Sequence, residues 1–157
     1  MTTRLPILRA TSVIALVSCA LAFAACGGDD SDALSKEDYK KQAQEISDAY
    51  ETDAAPALKA AQSKDPAESL TGVKQLATSS TETADKLDEL EPPDEYSDVH
   101  GKLVGTLRTV GERGEKVEQA AEAKDEAAIT PAVESFQQGI LELDRVGTEF
   151  DKKVGTT

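Results

Sequence analysis

One imidazole, two thiols and a large excess of carboxylates are the reactive side chains of this 157-residue sequence. Their number decides which chemistries lack the parts. His100 is the only histidine, whereas a two-histidine carboxylate site, a His-Glu-x-x-His zinc helix and the paired Glu-x-x-His motifs of di-iron bundles each need more than one. Covalent haem needs Cys-x-x-Cys-His, which does not occur. A Ser-His-Asp triad survives the count, but there is no Gly-x-Ser-x-Gly elbow and no strand pattern to carry one. His100 stands one helical turn after Tyr96, with Leu103 and Leu107 further along the same stripe, so His100 and Tyr96 are the candidate ligand or interaction residues. The plainer expectation is a histidine at the rim of a core, hydrogen-bonded to a neighbouring tyrosine or carboxylate. No catalytic residue, metal site or cofactor is expected, and the chain is not expected to be an enzyme.

The thiols belong to a different chemistry. Residues 1 to 25 carry Arg4 and Arg9, then an uncharged run of Ala, Val, Ile, Leu and Phe from Ala10, and close on small residues, the three-part layout of a secretory signal. The run is about 16 residues, short against the roughly 20 of a membrane span, and a polar stretch follows directly. Cys26 follows Phe23-Ala24-Ala25 and precedes Gly27-Gly28-Asp29-Asp30. This resembles the lipobox of bacterial lipoproteins, and the resemblance implies diacylglycerol on the Cys26 thiol and cleavage just before it. Phe23 departs from the usual leucine of that motif. Leu16-Val17-Ser18-Cys19 matches it better letter by letter, but would leave the apolar Ala-Leu-Ala-Phe-Ala-Ala after the cut, so Cys26 is preferred. The alternatives are an ordinary cleaved signal or a Cys19–Cys26 disulfide. Two acyl chains on one cysteine hold a protein at a bilayer where one holds it only marginally.

Gly27 to Leu34 is Gly, Asp, Ser and Ala with hardly an apolar residue, a solvated tether reaching roughly 25 Å at most. Asp29, Asp30 and Asp32 lack the turn glycine and distal glutamate of a calcium loop. The whole chain has a formal charge of −13. Arg4 and Arg9 are the only charges in the first 25 residues, so their removal leaves 15 basic against 30 acidic residues. Such a domain repels phosphate backbones and anionic lipid alike, which sets nucleic acid aside as a partner.

From Ser35 onward every long stretch has helical period and none alternates. Ser35 and Asp38 make a capping-box start, and Tyr39, Ala43, Ile46, Tyr50 and Ala54 form the first stripe. Pro56 predicts a kink before it resumes at Ala57 and Ala61. Asp65-Pro66 starts a second helix with the stripe Leu70, Val73, Leu76, Ser80, Ala84, Leu87, Leu90, which Pro92-Pro93 ends. The third stripe runs from Tyr96 and His100 through Leu107, Val110 and Gly114 to Val117 and Ala121. The fourth follows Lys124-Asp125, with Thr130-Pro131 as an alternative start, and comprises Ile129, Val133, Phe136, Ile140, Leu143, Gly147, Phe150 and Val154. Gly101, Gly105, Gly111 and Gly114 fall inside the third helix, either opening a groove, admitting a close neighbour, or simply packing. Lys64-Asp65 and Lys124-Asp125 recur sixty residues apart, through duplication of a hairpin or through a shared demand for the same turn chemistry.

The stretch from Lys86 through Pro92-Pro93 and His100 to Leu103 resembles a pattern found in small lipoproteins of high-GC Gram-positive bacteria. That resemblance implies a helical lipoprotein of unassigned function and brings no catalytic or binding residue with it. The expected organisation is therefore all-α: a lipoprotein signal peptide over 1–25, a lipidated cysteine and flexible tether over 26–34, and an antiparallel up-down-up-down four-helix bundle over 35–157. Short connections between apolar-striped helices force antiparallel neighbours. The expected function is a lipid-anchored interaction module on the extracytoplasmic face of the cell membrane, with an envelope protein as candidate partner. A small-ligand carrier with a pocket between helices is the alternative, and an enzyme a more distant one. Ala-rich stripes and few aromatic residues favour close packing over a large cavity.

Overall fold

The structure, a computed structural model, describes residues 33–155. The expected signal peptide, Cys19, Cys26 and most of the tether lie outside them. Four helices, α1 (Lys36–Ala61), α2 (Pro66–Asp88), α3 (Ser97–Glu122) and α4 (Glu126–Val154), form an all-helical bundle, with a 3-10 turn at Asp94–Tyr96 before α3. No strand occurs among the described residues.

The starts of α1, α2 and α4 are set by side-chain caps. Ser35 Oγ accepts from the Asp38 N–H at 3.2 Å and donates to the Asp38 carboxylate at 2.6 Å. Asp65 Oδ1 accepts from the N–H groups of Ala67 and Glu68, and Asp125 Oδ1 from those of Ala127 and Ala128. Each cap satisfies orphan donors of a first turn and contributes about 1 kcal/mol. α1 continues unbroken through Pro56, and α4 through Pro131, so the alternative start at Thr130 is not used.

The two Lys-Asp turns differ in backbone. Lys124 has φ 53°, the only non-glycine residue at positive φ among those described. Its N–H donates to Ala121 O at 3.1 Å while the Asp125 N–H donates to Ala120 O at 3.0 Å. These are the two bonds of a Schellman motif with lysine at the position that favours glycine. Asp125 thus closes α3 with its backbone and opens α4 with its side chain. The Lys64 turn shares only the aspartate cap.

α1 packs on α2, α2 on α3 and α3 on α4, but α1 and α4 do not pack with comparable closeness. Where α2 and α3 cross, Gly111 and Gly114 are buried against α2, and a Cβ on Gly114 would stand 2.5 Å from that of Ala77. Gly101 and Gly105 have open space instead. The four glycines of α3 therefore divide: one pair permits close approach of a neighbouring helix, and the other faces outward.

The core falls into two clusters. One gathers Tyr39, Leu87, Tyr96, Leu103, Leu107 and Phe150 with their neighbours, and the other gathers Ala57, Val73, Leu76, Val110, Val117 and Phe136. Leu143 packs against both and, like Ile140, is only half-buried. This corrects the expectation from the α4 stripe. Both side chains face the loosely joined α1–α4 side and stay partly open to solvent there, while Gly139 and Val146 take the buried positions. Similarly Ala120, and not Ala121, is buried on α3. All the caps and both clusters lie within the compact unit Ser31–Thr157, which therefore contains the interactions that fold it.

Candidate functional site

The sequence candidates His100 and Tyr96 both lie in the core, 7% and 5% exposed. His100 Nδ1 is 2.8 Å from the phenol oxygen of Tyr39, a residue that is 0% exposed. Tyr96 stacks on Tyr39 with ring centroids 5.6 Å apart, and Phe150 tilts against it at 6.5 Å. Tyr39 is thus the hub of an aromatic cluster drawn from α1, α4, α3 and the 3-10 turn before it. Burial holds the His100 imidazolium disfavoured, with the nearby Asp88 carboxylate acting in the opposite sense, and burial likewise raises the Tyr39 phenol. Both rings are therefore neutral around pH 7 and share one hydrogen bond. Histidine bonded to tyrosine is the plainer of the two sequence expectations, but the partner is Tyr39 of the first helix and not the nearby Tyr96.

Leu34, the last residue of the expected tether, is held at this end of the bundle. Its N–H donates to Glu91 O at 2.9 Å, and its side chain packs on the first core cluster.

A second feature was not singled out from sequence. Along the loosely joined side of the bundle lies a groove of about 660 Å³ between α1 and α4. Its floor is Leu76 and Leu87 of α2 with Leu103 and Leu107 of α3, and its walls include Tyr50 and Ala54 on one side and Ile140 and Leu143 on the other. The Tyr50 hydroxyl is tied to Ser80 Oγ at 3.2 Å, which fixes that wall against α2. A groove of this size departs from the expected close packing. It lies where α1 and α4 do not pack closely, and the α1 wall at Ala54 offers only a methyl group toward it. The stripe signals were legible in the sequence; a gap between two of them depends on side-chain length across a tertiary interface.

Among the described residues no group of three His, Cys, Asp or Glu converges closely enough to hold a metal ion, and no helix is long and apolar enough to cross a membrane. Cys26 lies outside the described residues. In comparisons with protein-family models, with curated proteins and with solved structures, the chain matches none.

Proposed function

We propose that this chain is a lipid-anchored binding module of the cell envelope, held through Cys26 on the extracytoplasmic face of the cell membrane, that binds a small ligand in the groove between α1 and α4. The observation that carries the reading is the groove itself: an apolar floor, about 660 Å³ in volume, within the about 300–1,000 Å³ common for small-molecule sites. It favours the carrier alternative over docking through the outer helix faces, which are charged. The arrangement is an antiparallel up-down-up-down bundle, supported by the short turns between consecutive packed helices. The anchor is supported by the lipobox-like residues before Cys26 and by the short polar tether. No role in catalysis is proposed for His100, whose ring is engaged with Tyr39.

Two measurements test this. A neutral apolar fluorophore such as Nile red should bind residues 31–157 at one site and lose that site in Ala54→Trp, whose side chain fills the groove. Mass spectrometry of the native protein should find a diacylated N-terminal Cys26, and an unmodified mature chain starting elsewhere would remove the anchor.

A further inference from the structure

The groove is asymmetric in charge as well as in polarity. Carboxylates stand at its mouth on both sides, Asp48 and Glu51 from α1 with Asp144 and Asp151 from α4, and no Lys, Arg or His lines it. Asp48 accepts a hydrogen bond from Gln44 at 2.6 Å. Glu51 and Asp144 are exposed and make no ion pair among the described residues. Away from the mouth, some acids on the helices are paired. Arg145 reaches Glu142 and Glu149, Lys102 reaches Glu149, and Arg108 reaches both Asp85 and Asp88. Cations are thus available on α3 and α4, yet none is placed over the apolar floor.

We infer that the groove selects an amphiphile with a positively charged head, its apolar body on the leucine floor and its cation between Glu51 and Asp144. This inference rests on the groove being the binding surface proposed above. Burying the chain on leucine supplies affinity without regard to charge. The two carboxylates, one on each wall, then discriminate, attracting a cation and repelling an anion, and the net charge of the whole protein adds to that bias. The dimensions favour a small molecule over a protein helix. Spread along α1 from Gln44 to Leu58, about 20 Å, the about 660 Å³ of the groove leave a mean cross-section of about 33 Å², too narrow for a docked helix roughly 10 Å across.

The test compares dodecylammonium, dodecanol and dodecanoate, which share one tail, by isothermal titration calorimetry on residues 31–157 below the concentrations at which each aggregates. Dodecylammonium should bind once per chain and about tenfold tighter than dodecanoate, a ratio expected from a few exposed charge interactions. Glu51→Gln with Asp144→Asn should reduce that ratio to about threefold or less and leave dodecanol binding unchanged. Both positions are exposed, so the variant keeps its fold, which circular dichroism verifies. Equal binding of all three probes would overturn charge selection while leaving the groove as a binding site. Failure of all three would remove the groove reading as well. Binding that survives Ala54→Trp, or that is seen only with a basic amphipathic peptide, would also overturn the proposal.

Discussion

The phenol oxygen of Tyr39 and Nδ1 of His100, 61 residues apart in sequence, stand 2.8 Å from each other in the core, and this bond ties the start of α1 to the start of α3. Because burial keeps the imidazole below its usual range near 6.5, the unfolded chain takes up the proton first. The contribution of this site is complete above about pH 6.5 and declines as the pH falls below it. Urea unfolding at pH 7.5 and 5.5 should show a loss of stability on acidification that is smaller in His100→Gln. An equal loss in both proteins would remove His100 from the pH response. Tyr39→Phe, which leaves the imidazole nitrogen without its partner, should cost about 1–3 kcal/mol at pH 7.5.

Lys124 occupies a left-handed position at the end of α3, where a side chain bearing Cβ is strained by roughly 1 kcal/mol. Lys124→Gly should therefore stabilise the protein by about 0.5–1 kcal/mol, despite the flexibility glycine adds to the unfolded chain. The midpoint of urea unfolding should rise. A fall would mean the lysine makes a compensating interaction.

Leu107 and Leu143 both line the groove, but Leu107 is 2% exposed and Leu143 is half-buried. Leu107→Ala should cost about 2–5 kcal/mol through lost burial and a residual cavity. Leu143→Ala opens onto the groove and should cost less than about 2 kcal/mol. Similar losses at the two positions, read from urea unfolding, would show that the groove is closed in solution.

Two glycines of α3 should respond in opposite directions. A methyl group at Gly114 would meet Ala77 at 2.5 Å and the Phe136 ring at 3.2 Å. Gly114→Ala should thus cost about 1–3 kcal/mol through overpacking. Nothing lies within 4 Å of the corresponding position on Gly105, so Gly105→Ala should gain about 1 kcal/mol from helix propensity. Thermal unfolding of the two variants beside the native sequence checks both signs.

Local physics made much of this protein readable from the chain alone. Ser35, Asp65-Pro66 and Asp125 start their helices because a cap and its donors lie within three residues of one another. The stripes placed Tyr39, Leu87, Leu107 and Phe150 in the core because helical period alone brings them to one face. The presence of His100 in the core was legible for the same reason. Which tyrosine it bonds was not, because Tyr39 is brought to it by the packing of helices far apart in sequence. Nor could a stripe report how closely its helix meets the next one. Ile140 and Leu143 carry the right spacing for burial, yet α1 and α4 do not pack closely and leave them lining a groove. Glu51 and Asp144 read as ordinary solvated charges on separate helices, and only the packing of the bundle sets them on opposite walls of the same apolar floor.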